Sequence, residues 1–209
     1  MKVMAIPFEK SWNRKNAQNG ILGVVADLIK VEKNYEVAIE TALGGSIQNI
    51  VTDHEQTAKA MIGYLKANKL GRATFLPLTS IKGNQTFQKE NVLKEQGVIG
   101  VAHTLVKTEE KFAVLAKYLL GKTLVVDHID HAIALQKKYD HTLRIVTLEG
   151  ESLNPGGSMT GGAFKNNSNL LGRRREIEEL ELSVKQLALE MEERKAQVEE
   201  TKTKRTACY

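Results

Sequence analysis

The sequence predicts a mixed α/β fold in which two similar subdomains are followed by a long coiled-coil helix. Three observations predict this fold. The middle of the chain contains an internal repeat, each copy alternates strand-like with helix-like segments, and the C-terminal part carries apolar residues at heptad spacing. With 209 residues, 42% of them hydrophobic, the chain is long and apolar enough to bury a core.

The repeat is visible when Gly23 is placed over Gly100. The segment 23–44 then aligns with 100–121, and eight of the 22 pairs are identical. Farther along, Asp53-His54 aligns with Asp127-His128, and RATFLPL (72–78) aligns with RIVTLEG (144–150). Such self-similarity indicates one supersecondary unit used twice.

Each copy predicts the same order of elements: an apolar stretch, an amphipathic helix, a strand, a second helix and a last strand. In copy one the apolar stretch is 22–31 and the two strands are 47–51 and 73–76. Its first helix has Tyr35, Ile39, Ala42 and Leu43 inward, and its second helix has Ala58, Met61, Ile62 and Leu65 inward. In copy two the apolar stretch is 98–106 and the two strands are 123–126 and 143–148. Its first helix has Phe112, Leu115, Ala116 and Leu119 inward, and its second helix has Ile129, Ala132 and Ile133 inward. Gly44 and Gly121 end the first helix of each copy, as C′ glycines do.

The C-terminal part predicts a coiled-coil helix over 170–201. Its apolar a and d positions are Ile177, Leu180, Val184, Leu187, Met191 and Val198. At 1.5 Å per residue the stretch 173–201 would be about 43 Å long. A single exposed amphipathic helix is marginal in water, so we expect it to pack against a partner.

These patterns divide the chain into segments. Subdomain one is expected at about 20–80, a linker at 81–97 and subdomain two at 98–165, so that 19–165 forms the folded unit. Residues 1–18 show no sustained period and are expected to be a poorly ordered leader, and 202–209 form a tail in which the heptads are lost.

Several classes of protein are excluded by composition. The one cysteine, Cys208, cannot form an internal disulfide, which fits a reducing cytosol, and no apolar stretch approaches the 18 residues of a membrane-spanning helix. Gly121-Lys122-Thr123 resembles the end of a P-loop, but the required upstream glycine is replaced by Ala116. No nucleotide-binding loop is therefore predicted at this segment, and the favoured interpretation of the whole sequence contains no catalytic residue, cofactor or metal site.

Asp127-His128-Ile129-Asp130-His131 is the segment that most resembles a metal cluster. His128 and His131 are spaced to share an ion on one helix face. However, Asp127 and Asp53 both fall where a strand ends and a helix begins, which favours N-caps and solvated histidines. The cluster leaves one alternative open: a small α/β ligand-binding or metal-dependent enzyme domain with a coiled-coil oligomerisation helix.

The densest local signal is NPGGSMTGG at 154–162. A phosphate-binding loop is disfavoured because no Lys-Ser or Lys-Thr follows it, and a flexible linker remains possible. The favoured interpretation is an interface at which a second backbone comes close to the glycines. Val146, Thr147, Leu148 and Met159, which surround the segment, are untypical of a linker.

Basic residues cluster at Lys165 and Arg173 to Arg175, where the folded unit meets the helix. They indicate either a phosphate-binding patch or a solvated helix start neutralised by nearby glutamates. The net charge of +5 is weak evidence for nucleic acid, because +3 of it lies in residues 1–18. The argument for DNA is therefore local.

At this point the chain resembles the hinge of bacterial structural-maintenance-of-chromosomes (SMC) proteins. The resemblance rests on GILGVVADLI (20–29), ALGGSIQNIVTD (42–53), GRATFLPL (71–78), RIVTLEGESLNPGGSMTGG (144–162) and LLGRRREIEELE (170–181). It implies an SMC-hinge-like fold in a chromosome condensation and partition protein of the cytoplasm and nucleoid.

The resemblance also implies partners and sites. The chain would form a homodimer in which Gly156, Gly157, Gly161 and Gly162 approach the partner. It would join two coiled-coil arms into a ring that entraps DNA, with Lys165, Arg173, Arg174 and Arg175 as DNA-contact candidates. The family's ATPase lies in a head domain that this sequence lacks, so no ATP hydrolysis is expected. Residues 1–18 cannot supply the antiparallel coiled-coil strand that pairs with the C-terminal helix, so a fragment of a longer protein is expected.

Overall fold

A computed structural model describes residues 20–83, 87, 89–162 and 170–207. The chain divides into two units, one that ends at Leu171 and one that begins at Gly172. The first is a mixed α/β unit of two subdomains and the second is helical, which confirms the predicted fold class. The leader 1–18, Lys165 and Cys208 lie outside the described residues.

Subdomain one is short-stranded. Its strands and helices are β1 (Ile21–Val24), α1 (Val25–Leu28), β2 (Lys30–Val31), α2 (Glu36–Leu43), β3 (Ile50–Thr52), α3 (Glu55–Ala67) and β4 (Phe75–Pro77). Short 3₁₀ turns at Lys33–Tyr35, Gly44–Gln48 and Leu78–Ser80 connect them.

Subdomain two repeats this order and then adds a hairpin. Its elements are β5 (Val98–Val101), β6 (Val106–Lys107), α4 (Ala113–Leu120), β7 (Thr123–Val126), α5 (Ile129–Lys138), β8 (Arg144–Thr147), β9 (Ser152–Leu153) and β10 (Met159–Thr160). Its 3₁₀ turns are Ala102–Leu105 and Glu110–Phe112, and a further turn, Glu90–Lys94, precedes it.

The sheets show how the two copies differ. Subdomain one has a three-stranded sheet ordered β1-β3-β4, whereas subdomain two has a five-stranded sheet ordered β10-β9-β8-β7-β5. In both, the strands on either side of the last helix are parallel: β3 pairs with β4 around α3, and β7 pairs with β8 around α5. A small sheet of β2 and β6 joins the two copies, with Val31 opposite Val106.

The strand register corrects the repeat alignment at its end. Thr52 pairs with Pro77 in sheet one, and the equivalent Val126 pairs with Thr147 in sheet two. Phe75 is therefore equivalent to Ile145, and the alignment of RATFLPL on RIVTLEG is wrong by two residues. The shared arginine misled the alignment because the loop before β4 is longer than the loop before β8.

The strand predicted at 47–51 is also misplaced. A 3₁₀ turn follows Gly44 through Gln48, and the strand begins only at Ile50. Gly44 has φ +51° and ψ −131°, a conformation suited to glycine, whereas Gly121 has φ −67°. The two glycines end equivalent helices by different geometries. The last strand predicted at 73–76 lies at Phe75–Pro77.

Two apolar cores stabilise the folded unit. The larger core joins both subdomains and includes Val25, Ile39, Leu115 and Val146. The second core packs α5 against β7, β8 and β9, and it contains Val92, which is fully buried. The segment 81–97 is thus more than a linker, because its 3₁₀ turn inserts a side chain into subdomain two.

The C-terminal helix, α6, extends from Leu170 to Ala207, beyond the predicted end at residue 201. Its first two residues belong to the folded unit, where Leu171 is buried and the Leu170 N–H donates to Glu40 Oε1 at 3.4 Å. All six predicted heptad positions are exposed: Ile177, Leu180, Val184, Leu187, Met191 and Val198. The apolar stripe therefore has the pattern of a coiled coil and no cover in the described part of the chain.

Candidate protein–protein interface

The hairpin of β9 and β10 is built around NPGGSMTGG. Gly156 and Gly157 form its turn with φ +87° and +90°, a region that favours glycine. The Asn154 N–H donates to the Ser158 carbonyl at 2.9 Å, and the Gly156 N–H donates to the His141 carbonyl at 2.9 Å. These bonds hold the turn against the end of α5.

Strand β10 is the outer strand of the five-stranded sheet, and both of its residues are exposed. Because Asn154 and Ser158 form a hydrogen-bonded pair, the next pair, Leu153 with Met159, is non-hydrogen-bonded. The N–H and C=O of Met159 therefore point away from β9. An edge of this kind is a template for pairing with another strand.

The four predicted interface glycines lie in or beside this hairpin. A Cβ on Gly156 or Gly162 would meet nothing within 4 Å, so the space above these glycines is open. A Cβ on Gly161 would lie 3.0 Å from Glu151 Cγ, and one on Gly157 would lie 3.7 Å from His141 Nδ1. No neighbouring atom of the described chain would clash with a side chain at position 156 or 162. A second backbone therefore has room to approach at these two positions.

Subdomain one has an unfinished counterpart of this region. In the described residues, β4 is an outer strand with no equivalent of β9 or β10 beside it. On the helix that covers this edge, Ile62 is equivalent to Gln136 of α5. Ile62 is 42% exposed, whereas Gln136 is 2% exposed beneath the hairpin. The prediction that Ile62 faces inward is therefore wrong, because its apolar spacing on α3 is the same as that of a core residue although no strand covers it among the described residues.

The aspartates at 53 and 127 are not the helix N-caps, which are His54 and His128. Asp53 Oδ1 accepts from the Thr57 hydroxyl at 2.7 Å, and at the equivalent place Asp127 Oδ1 lies 2.7 Å from His131 Nδ1. The hydrogen bond from Thr57 holds the pKa of Asp53 below its usual value, and the contact with His131 does the same for the pKa of Asp127. The two carboxylates tie the helix starts in place.

The Asp-His cluster has the geometry of local ion pairs. His131 contacts Asp127, while His128 Nδ1 lies 3.8 Å from Glu149 Oε1. Within the residues that the structure describes, no group of three or more His, Cys, Asp or Glu side chains could hold a metal ion. The cavity beneath the hairpin has a volume of only about 40 Å³ and is lined by Gln136, His141 and Met159 among others. Among the described residues, neither the cluster nor this cavity adds an observation that favours the metal-dependent enzyme alternative.

The predicted DNA contacts lie on the first turns of α6. Arg174 Nε lies 3.3 Å from Glu178 Oε1, and Arg175 Nη1 lies 2.7 Å from Glu179 Oε1. These are exposed i, i+4 pairs, which hold side chains only weakly. Lys165 is outside the described residues, so the structure does not bring it together with the arginines.

The fold and the hairpin together define a class of protein: a two-subdomain α/β module with a long amphipathic helix and an outer strand, β10, that pairs only with β9 among the described residues. The family described as "SMC proteins Flexible Hinge Domain" matches residues 18–136. The chain belongs to this family. The match confirms the resemblance on which the sequence analysis relied.

Curated relatives agree with this assignment. The chain is 47% identical over 189 residues to the chromosome partition protein Smc of Bacillus subtilis, covering 89% of this chain and 16% of that protein. It is also 47% identical over 161 residues to the Smc protein of Desulfitobacterium hafniense, covering 77% of this chain and 13% of that protein. The chain therefore spans only a small part of the relatives it matches.

Solved structures show the same fold. An asymmetric dimer of the Geobacillus stearothermophilus SMC hinge domain superimposes with a TM-score of 0.72 at 40% identity, covering 81% of this chain and 69% of that chain. The Pyrococcus furiosus SMC hinge domain gives a TM-score of 0.60 at 34% identity, covering 74% and 79%. Among the described residues, no helix combines the length and apolarity needed to cross a membrane.

Proposed function

We propose that this chain is a homodimerisation hinge of a chromosome partition protein. The observation that carries the proposal is the free edge of β10, flanked by Gly156, Gly157, Gly161 and Gly162 and exposing the outward backbone groups of Met159. A similar hinge domain from Geobacillus stearothermophilus forms a dimer, which supports the same assembly here.

The second free edge, β4, gives β10 a place to bind on another copy. Each copy carries one donor edge in subdomain two and one acceptor edge in subdomain one. Two copies related by a twofold axis would therefore form two equivalent contacts and close on themselves. Pro77 at the end of β4 is compatible with an outer strand.

The test is a proline at the outward-facing position of β10. Met159→Pro removes the N–H that points away from β9, so we expect a chain that is folded and monomeric in analytical ultracentrifugation at micromolar concentration. Met159→Leu keeps the donor and an apolar side chain, and we expect it to dimerise. Replacing the glycines is a poorer test, because Gly156, Gly157 and Gly162 have positive φ and alanine there would strain the hairpin itself. A Met159→Pro chain that dimerises as well as Met159→Leu would contradict the proposal.

The role in the whole protein extends this proposal. The hinge would join two coiled-coil arms into a ring that entraps DNA in the cytoplasm, at the nucleoid. The exposed stripe of α6 supports an antiparallel coiled-coil partner. The hinge itself would have no catalytic role, and ATP would be bound and hydrolysed elsewhere in the protein.

DNA contact at the start of α6 is the part of the proposal carried by Arg173, Arg174 and Arg175. We expect weak, sequence-independent binding to short DNA duplexes in fluorescence anisotropy at low salt. Replacing the three arginines with glutamate is expected to lower the affinity at least about tenfold, because phosphate contacts and the counterion release they cause are lost. In the matched control, glutamate replaces Lys185, Arg194 and Lys195, which are exposed farther along the same helix. Equal losses in both triple variants would remove the arginines from the proposal.

A further inference from the structure

We propose that Ile62 and Phe75 of subdomain one form the seat for Met159 of a second copy, and that this side-chain contact sets the register of the dimer. The inference rests on the proposed dimerisation and names the residues that would make it specific. It follows from comparing the two copies of the internal repeat, one of which is finished by its own hairpin and one of which is not.

The finished copy shows what belongs on this surface. In subdomain two, Ile145 of β8 lies opposite Leu153 of β9, and both are buried against α5. Phe75 is equivalent to Ile145 and Ile62 is equivalent to Gln136. In subdomain one nothing described occupies the position of Leu153, and Phe75 and Ile62 remain partly or largely exposed. One apolar side chain from outside would complete the layer.

Backbone geometry selects Met159 for this position. The Ile50 N–H donates to the Thr74 carbonyl, so in the parallel pair of β3 and β4 the backbone groups of Phe75 point outward. Those of Met159 point outward from β10 as well. Antiparallel pairing would thus place Phe75 opposite the partner's Met159, as Ile145 lies opposite Leu153.

The side chains fall on the correct face of the joined sheet. The connections β3–α3–β4 and β7–α5–β8 are parallel crossovers, which are right-handed in nearly all proteins. If β4 pairs antiparallel with the partner's β10, this shared handedness places α3 and the partner's α5 on the same face of the joined sheet. Met159 lies on the α5 face of its own sheet, where it lines the small cavity with Ile133 and Gln136. The partner's Met159 would therefore point toward Ile62 of α3.

Charge complementarity favours a second copy over an unrelated partner. No Asp or Glu occurs between Glu55 and Glu90. Lys59 and Lys66 lie one helical turn before and after Ile62 on α3, and Lys69 and Arg72 lie in the loop that leads to β4. Glu151 lies beside Gly161, at the end of the hairpin. In the antiparallel orientation this end would approach Lys66 and Arg72 of the other copy. Opposite charges at this end would steer the two edges together and disfavour the reversed orientation.

The test introduces opposite charges at Ile62 and Met159, singly and together, and measures the dimer affinity by analytical ultracentrifugation. Ile62→Glu is expected to weaken dimerisation about 100-fold, because an unpaired carboxylate would be buried under the partner's Met159. Met159→Lys is expected to do the same. The double variant I62E/M159K should recover affinity to within about tenfold of the unmodified chain, since the two new charges would meet across each contact.

The matched control is Val114→Glu, because Val114 is also 42% exposed but lies on α4, whereas the proposed seat lies on α3 and β4. Circular dichroism checks that every variant is folded. If Ile62→Glu dimerises as well as Val114→Glu while Met159→Pro is monomeric, the seat is wrong and the dimerisation proposal stands. A double variant that stays monomeric would also overturn the pairing of Ile62 with Met159. An unmodified chain that is monomeric would instead contradict the proposed function.

Discussion

Equivalent residues of the two repeat copies share some contacts and differ in burial. Thr57 and His131 occupy equivalent positions and both bind the aspartate that precedes their helix. Ile62 and Gln136 are also equivalent, yet one is exposed and the other buried. The burial of Val92 could not be predicted from the sequence, because the pair Val92-Leu93 stands alone among polar residues and has no periodicity that would show which of the two is buried.

Val92 provides a test at this scale. Val92→Ala should lower the free energy of unfolding by about 2 kcal/mol, because it removes two methyl groups from a packed core and leaves a cavity. Leu93→Ala is the control in the same turn, since Leu93 is 41% exposed, and its effect should be well under 1 kcal/mol. Urea denaturation of both variants makes the measurement. Equal effects would mean that the turn does not anchor subdomain two.

Secondary-structure elements were predicted well in kind and less well in position. The order helix, strand, helix, strand was predicted correctly in both copies, because apolar periodicity and glycine boundaries carry that information. The apolar stretch before it was not resolved, since in copy one it divides into β1, α1 and β2. The start of β3 was missed because the apolar Ile47 sits in a 3₁₀ turn after Gly44, a conformation that depends on backbone angles. The alignment of β4 on β8 failed because two short strands with a shared arginine contain too little sequence to fix a register.

Gly44 tests the account of the turn that replaces the predicted strand. Gly44→Ala should lower the free energy of unfolding by about 1–3 kcal/mol, because its φ of +51° is strained for alanine although no atom would clash with the new Cβ. Gly45 is exposed, has no positive φ and would likewise meet nothing within 4 Å, so Gly45→Ala should be nearly neutral. Thermal unfolding compares the two. A neutral Gly44→Ala would show that the turn relaxes without cost.

At the scale of the whole molecule, the internal repeat explains both the fold and the proposed assembly. Duplication gives two similar α/β units, but only the second copy has the strands β9 and β10. Among the described residues the first copy keeps an open edge and the second ends in an exposed one, which is why we propose that two copies pair through these edges. The glycines beside one edge could be predicted from the sequence, whereas the proposed receiving surface on α3 and β4 could be inferred only when the two sheets were compared.

The central claim is that two copies of this chain associate, and the mass of the unmodified chain in solution tests it most directly. Sedimentation equilibrium across the micromolar range should give twice the chain mass of 23.2 kDa, with dissociation only on dilution. A single species of 23.2 kDa over the whole range would contradict the account.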